Sequence, residues 1–331
     1  MTDPLPFDPG PPLAARSGVA ALYSVLSASF HLELLAPEDA DRLAAVNDLV
    51  WDWIGGHLTW QLSSFNDRIE RLDRGDLDFI PALTDQLDEP VVGGDAVWKA
   101  FTSQLVKTLY TDYSVACHGG HEDVRVSPFT YEFWAEIPDD NRMGDRFRAF
   151  ATLRISVPDT WPLANFFTQV LAIASKLRLR WGSAGFSYAY FVPGDTRVAF
   201  AKMFAHARRF VGYDIPFVER NAVLLHNAIR SVNWLTFLGP TFRERLTEAG
   251  RSLGPTPLLE IGRAGESAVI RAGARPERGD VNRLQFPPTY VAADTLVRPI
   301  RLAEGKDLTF MGPWDERSTT EWLRRFERRT S

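Results

Sequence analysis

The sequence is poor in cysteine and lacks a long apolar run. Cys117 is the single cysteine among 331 residues, and because extracellular chains of this size more often carry paired cysteines, this favours a reducing compartment. The most apolar early stretch, residues 19–35, is interrupted by His31 and Glu33, so it is too polar to span a bilayer. Residues 1–16, MTDPLPFDPGPPLAAR, lack the basic and apolar regions of a signal peptide. These absences predict a cytoplasmic protein without membrane attachment.

A surplus of basic charge is also missing. The chain has 42 acidic and 37 basic residues, which gives a net charge of −5, and its pI is near 5.8. Domains that bind nucleic acid normally show a basic patch and a high pI. The charge balance therefore predicts that nucleic acid is not a partner.

The common nucleotide and hydrolase motifs are not found. The sequence has no GxxxxGK[ST] loop and no GxGxxG fingerprint, and the GSAG at 182–185 is not a GxSxG nucleophile elbow. We therefore predict a protein that is not an enzyme and needs no cofactor. Acid–base pairs assembled from distant segments are invisible in one sequence, so an enzyme stays open as the alternative.

One loop has ligands of the kind that metals prefer. Cys117, His118 and His121 lie within five residues, and zinc binds thiolate and imidazole groups. Three ligands on one short Gly-Gly loop do not easily surround a tetrahedral ion, and no second CxxC or HxxxH pattern is present. We predict an ordinary loop and no metal site; the alternative is a metal-dependent hydrolase that uses these residues with nearby carboxylates.

Strand and helix signals alternate without a strict βαβ order. A helix is predicted from Pro37 to the Gly55-Gly56 stop, with Leu43, Val46, Val50 and Trp53 along one side. Residues 131–137 and 148–157 predict two strands of a hairpin. The pattern predicts an α+β fold in which mixed, largely antiparallel sheets pack with helices, as a single compact unit or two closely packed subdomains.

Three regions differ in composition. Residues 1–16 predict a flexible, proline-rich leader, residues 17–262 the main α+β domain, and residues 263–331 a C-terminal extension. The extension combines a Gly/Pro-rich stretch with a final amphipathic helix over 319–329. Trp314 and Trp322 have polar neighbours there, and exposed tryptophans are common interface anchors, although such a helix more often docks on its own domain.

Acidic residues are concentrated between Asn66 and Pro90. This segment has eight acidic and three basic residues, a local balance of −5. Three interpretations remain open: a solvated acidic face, a site where Glu70, Asp76 and Asp78 hold a hard cation through oxygen ligands, or a surface for a basic partner.

One segment identifies a family. Residues 229–246, IRSVNWLTFLGPTFRERL, resemble the signature of the type VI secretion immunity protein family. The strand that ends in a proline (150–158), the strand containing GSAGFSYAYF and the early HLTWQL segment agree with this order, so the resemblance covers about residues 15–260. The core of the signature is expected to be structural and comprises Ser231, Val232, Asn233, Trp234, Leu235, Phe237, Leu238 and Gly239.

The resemblance implies an antidote that binds a cognate effector toxin, of the restriction-endonuclease-like nuclease kind, and neutralises it by stoichiometric occlusion. A DNA-cleaving toxin presents a basic cleft, which an acidic inhibitor could occupy. We therefore expect the partner to contact the acidic segments, with these carboxylates as candidates: Asp67, Glu70, Asp73, Asp76, Asp78, Glu132, Glu136, Asp139 and Asp140.

Overall fold

Eleven strands form one antiparallel sheet. In the computed structural model, the described residues are 11–16, 19–33, 39–63, 69–72, 112–120, 126–136, 150–190, 196–216, 222–305 and 312–327. The strands are β1 (Ala14–Arg16), β2 (Val19–Leu32), β3 (Trp60–Ser63), β4 (Ile69–Arg71), β5 (Asp112–His118), β6 (Thr130–Glu136), β7 (Phe150–Pro158), β8 (Leu179–Ala189), β9 (Leu235–Leu238), β10 (Glu260–Ala264) and β11 (Ser267–Arg271). Their order is β10-β11-β9-β8-β2-β7-β6-β5-β3-β4, and β1 pairs with β2.

Helices pack around this sheet. They are α1 (Asp39–Ile54), α2 (Leu163–Lys176), α3 (Thr196–Arg209), α4 (Ala222–Asn227), α5 (Pro240–Glu248), α6 (Pro288–Val297) and α7 (Glu316–Leu323). The fold is α+β and forms a single compact unit, which confirms the prediction of a largely antiparallel sheet packed with helices.

The long strand β2 lies at the centre of the sheet. It pairs with β7 on one side and β8 on the other. Leu26, Ala28 and Phe30 point into the large hydrophobic core, because alternate residues of a strand face the same side. Ser27 and His31 point the other way and bond to side chains of β7. This strand therefore separates an apolar layer from a polar one.

Helix α1 confirms the helix predicted after Pro37. Leu43, Val46, Val50 and Ile54 are buried, at the spacing of one helix face. Trp53 is only half-buried, and its indole N–H donates to Asn165 Oδ1 on α2 at 2.7 Å. Ile54, which lies closer to the direction of Leu43 around the helix, takes the core position predicted for Trp53.

The second half of the chain departs from prediction in two elements. Strand β8 begins at Leu179, ahead of the segment GSAGFSYAYF that indicated a strand, because residues 179–182 already pair with β2. Helix α6 was not predicted, although Pro288 at its start suits a first turn.

The predicted domain boundaries fall inside the sheet. Ala14–Arg16, at the end of the predicted leader, form β1 and pair with β2. Gly262 lies in the middle of β10, whose partner β11 pairs with β9. The residues beyond 262 thus complete the same sheet.

The C-terminal tryptophans are internal. Trp314 and Trp322 are 8% and 3% exposed, so they are not exposed anchors, and the favoured interpretation, in which the last helix docks on its own domain, agrees with the structure. Trp322 lies on α7, and its neighbour Leu323 joins a core cluster with Tyr188 and Met203. Helix α7 docks on its own domain through Trp322 and Leu323, which pack against residues of β8 and α3.

Candidate functional site

Most of the predicted partner-contacting carboxylates fall outside the described residues. These are Asp67, Asp73, Asp76, Asp78, Asp139 and Asp140. Glu70 and Glu136 belong to β4 and β6, where the backbone alone is described.

The carboxylate of Glu132 has an internal partner. Glu132 on β6 lies directly opposite Arg154 on β7, and Arg154 Nη1 is 3.2 Å from Glu132 Oε2. Arg154 also donates to Ser27 Oγ and to the Tyr188 carbonyl. Because the Glu132 side chain is only 15% exposed and pairs with Arg154, it belongs to the polar face of the sheet and offers little surface to another protein.

The strand register places the ends of β3 and β6 at one end of the sheet. Asp112, the first residue of β5, is paired with Glu136, the last residue of β6. Strand β3 runs in the same direction as β6, because both are antiparallel to β5. The last residues of β3 and β6, Ser63 and Glu136, therefore lie toward the same end of the sheet.

Helix α1 carries an acidic row that the sequence analysis missed. Asp41, Asp48 and Asp52 are exposed. Their spacing of seven and four residues places them within about 40° around the helix and roughly 10 and 6 Å apart along it. The signal was present, since these residues repeat at helical period opposite the apolar stripe. We call Asp41, Asp48 and Asp52 the acidic row.

The family signature is buried and structural in character. All eight residues named above are buried. Asn233 Oδ1 accepts from the Trp234 backbone N–H at 2.8 Å, and Asn233 Nδ2 donates to the Phe186 carbonyl at 3.2 Å. Gly185 has a φ of +155°, and a Cβ there would lie 2.2 Å from Asn233 Oδ1. The signature residues thus hold β9 against β8, and their side chains are buried away from solvent.

A buried ion pair anchors the entry to this segment. Arg230 Nη2 is 2.6 Å from Asp214 Oδ2, and both side chains are less than a tenth exposed. Asp214 Oδ2 also accepts from Ser183 Oγ on β8. These bonds fix the chain before the signature against the central sheet.

The alternative metal loop does not assemble from the residues that are described. Cys117 and His118 are consecutive and buried on β5, so their side chains leave opposite faces of the strand. His121 lies outside the described residues. Within the described ranges, no group of three His, Cys, Asp or Glu residues could hold a metal ion.

His206 is packed among aromatic side chains. Its Nδ1 lies 2.9 Å from the Tyr188 hydroxyl, and its ring meets that of Tyr213 edge to face at 4.8 Å. Burial, followed by the charges of Arg278, Lys202 and Arg209, lowers the pKa of His206 to about 4. The ring is therefore neutral near pH 7, which suits a packing role.

A membrane-crossing helix is not found among the residues that the structure describes. That observation agrees with the short, interrupted apolar runs of the sequence.

Comparison with solved structures shows a similar fold. The Pseudomonas aeruginosa T6SS protein PA0821 is 18% identical to the chain, with a TM-score of 0.68 over 97% of this chain and 85% of that one. At this identity the likeness concerns the fold. No curated protein sequence matches the chain.

Comparison with protein families gives the decisive match. Residues 57–326 match the family model TsiV, described as type VI immunity for VRR-NUC. The match includes the signature segment and most of the residues beyond Gly262. The family predicted from residues 229–246 is thereby confirmed, and the chain belongs to the TsiV family of type VI immunity proteins.

Proposed function

We propose that this protein binds a VRR-NUC nuclease effector in a one-to-one complex and neutralises it by covering its active site. The family match over residues 57–326 is the observation that carries the proposal. Neutralisation is by occlusion and involves no reaction on a substrate, which agrees with the buried, structural character of the signature. The protein acts in the cytoplasm, where the DNA that a nuclease attacks is found.

Electrostatics favours an acidic contact surface. A nuclease must attract phosphate groups, so its cleft is basic. The acidic row offers three carboxylates on one helix. The predicted carboxylates Asp67, Asp139 and Asp140, which follow β3 and β6 in the sequence, add further negative charge. A surface of this sign steers association with a basic cleft and competes with DNA.

Titration of the effector's nuclease activity tests the proposal. Purified effector is mixed with increasing amounts of this protein, and cleavage of plasmid DNA is measured. Occlusion predicts that activity ends at one equivalent and that isothermal titration calorimetry gives the same ratio. Complete inhibition at a small fraction of an equivalent would show turnover and overturn the proposal.

A metal analysis addresses the hydrolase alternative directly. Occlusion requires no bound ion, so the purified protein should inhibit equally before and after chelation. Stoichiometric zinc or manganese, together with loss of inhibition on its removal, would instead support the alternative built on Cys117, His118 and His121.

Neutralising the acidic row tests the contact surface. The triple variant Asp41→Asn, Asp48→Asn and Asp52→Asn should bind the effector at least about tenfold more weakly, with a smaller loss of affinity on raising salt. The matched control neutralises three exposed carboxylates elsewhere, at Glu244, Glu248 and Glu266. Equal effects of the two triple variants would show that net charge matters and the acidic row does not.

A further inference from the structure

Leu284 is displayed to solvent in a backbone conformation that leucine rarely adopts. Its φ is +56°, and it is the single non-glycine residue with positive φ in the described part of the chain. The side chain is 82% exposed. Both features oppose stability, since a left-handed backbone is strained for a residue with a Cβ and an exposed leucine gains nothing from burial. An arrangement of this kind is typical of a side chain kept for contact with another molecule.

The turn that presents Leu284 is held rigidly. The Asp280 side chain accepts from the Asn282 backbone N–H at 3.0 Å and from two N–H groups of Arg209. The Asp280 backbone N–H bonds to the Gln285 carbonyl, and the Gln285 N–H bonds back to the Asp280 carbonyl. The side chain is therefore preorganised, and its display requires no ordering when a partner binds.

Phe286 lies two residues after Leu284 and borders two concave regions of the surface. It is 41% exposed and lines both a cavity of about 610 Å³ and a groove of about 940 Å³. Leu284 lines the groove together with Val291 and Trp322. Leu284 and Phe286 thus border the same groove, and Phe286 also borders the cavity; we call these two residues the apolar ridge.

Arginines surround the apolar ridge. Arg208, Arg209 and Arg283 have side chains 54%, 45% and 72% exposed, and Arg324 is also exposed. On the groove side the carboxylates are Asp280, which is buried, and Glu321 and Glu327, which are each 32% exposed. On the cavity side Asp159 and Glu277 stand beside Arg275 and Arg278. Exposed arginines therefore outnumber exposed carboxylates around both residues, on a chain whose net charge is −5. The surface complements an apolar segment flanked by carboxylates, and it would repel a basic DNA cleft.

We propose that the apolar ridge is a second contact for the effector, binding an acidic and apolar segment of that protein outside its DNA cleft. This inference rests on the proposed function, because it takes the effector as the occupant. Two contacts of opposite charge would fix the orientation of the complex: the acidic row meets the cleft and the arginine-rimmed ridge meets a site beside it.

The test compares two exposed leucines. Leu284→Asn removes the apolar group while asparagine tolerates the left-handed backbone. Leu258→Asn makes the same change at a leucine that is 44% exposed and lies outside the ridge. The dissociation constant for the effector is measured by calorimetry on the full-length chain, with the thermal midpoint as the check on folding.

We expect Leu284→Asn and Phe286→Ala each to weaken binding at least about tenfold, as for a buried interface anchor. Leu258→Asn should change affinity less than about twofold, and Leu284→Asn should leave the thermal midpoint unchanged or higher. Unaltered affinity in Leu284→Asn, with tight binding by the wild type, would overturn the ridge and leave the proposed function standing. Absence of binding by the wild type would overturn both.

Two further outcomes assign the ridge to another occupant. If light scattering shows a dimer that Leu284→Asn dissociates, the ridge contacts a second copy of this chain and the proposal is wrong. A clear drop in thermal midpoint with Leu284→Asn would show that the chain itself uses the leucine, which also overturns it.

Discussion

The large core and the C-terminal layer, which comprises residues 280–305 and 312–327, differ in what they contain. Helix α6 packs on the large core through Ala293 and Val297, but the C-terminal layer adds buried ion pairs. In the core, Leu26, Phe30 and Leu153 are packed with α1 and α2 through apolar contacts. In the C-terminal layer, Asp294 on α6 pairs with Arg301, which also pairs with Glu327 beyond α7. Arg325 is half-buried and lies over the Trp322 ring at 3.8 Å, and desolvation is the main cause that lowers its pKa to about 9.

This difference determines how the stability of each layer responds to a substitution. An apolar core loses stability gradually as atoms are removed, because each methylene contributes separately. A buried ion pair fails at once when one member is removed, since the other is left charged without a partner. The layer that carries the apolar ridge is thus the more sensitive to single charge changes.

The largest expected effect is from breaking the buried pair. Asp294→Ala should lower the free energy of unfolding by about 3–5 kcal/mol, because Arg301 stays buried, loses its fully buried partner and keeps only Glu327, which is 32% exposed. Urea denaturation followed by circular dichroism measures this. Arg298→Ala is the control: Arg298 also contacts Asp294 but is 44% exposed, so its loss should be under about 1 kcal/mol. Similar losses in both variants would contradict the buried pair.

A double substitution sharpens this contrast. Asp294→Leu with Arg301→Met removes both charges, so it should cost clearly less than Asp294→Ala. The same denaturation experiment compares them. If the double variant is as unstable as Asp294→Ala, the loss comes from other contacts of Arg301, such as those with Glu327 and the Leu323 carbonyl, and not from an unpaired charge.

The core should respond less abruptly. Leu153→Ala should lower the free energy of unfolding by about 3 kcal/mol, through lost burial and the cavity that remains. Conservative Leu153→Met should lose under about 1.5 kcal/mol. Equal losses for these two substitutions would contradict the prediction, because the loss of stability would then not depend on the side-chain volume removed from the core.

A smaller effect is expected at the start of α7. Asp315 accepts from the Ser318 backbone N–H at 2.7 Å and forms a capping box with Ser318. Asp315→Ala should cost about 1 kcal/mol, and Asp315→Asn much less, because asparagine also caps helices. Thermal denaturation of the three proteins distinguishes these values.

The last effect concerns pH. Burial lowers the pKa of His206 and of His226 to about 4, whereas an unfolded histidine titrates near 6.5. Between these values the unfolded chain binds more protons, so stability falls as pH decreases from about 6.5 towards 4. His206→Gln should reduce the difference between urea midpoints at pH 7.5 and pH 5. An unchanged difference would show that other groups govern the acid response.

Local patterns predicted one part of the fold well. The period of Leu43, Val46 and Val50 indicates an amphipathic helix, and α1 follows it. The neighbours of β2 were beyond prediction, since β7 and β8 lie more than a hundred residues further along the chain. Pairing at that distance depends on the whole sheet and leaves no local signal.

The candidate surfaces show the same limit. The acidic row is visible in the spacing of three aspartates, once α1 is recognised. The burial of Trp322 cannot be read from its charged neighbours in the sequence. It depends on Arg325, which covers the Trp322 ring and donates to the Val211 carbonyl, more than a hundred residues away in the chain. The display of Leu284 depends likewise on Arg209, which binds Asp280 from another helix.

The central position of β2 also has a consequence for the order of events during synthesis. Its partners in β8 end at Ala189, about 160 residues after β2 leaves the ribosome. At roughly 5–20 residues per second, β2 waits on the order of ten seconds or more before the central pairing can close. Before β7 and β8 are synthesised, β2 is paired only at its start, with β1, and a long strand with unpaired edges is prone to aggregation. We therefore expect the yield of folded protein to depend on how quickly the nascent chain passes residue 189.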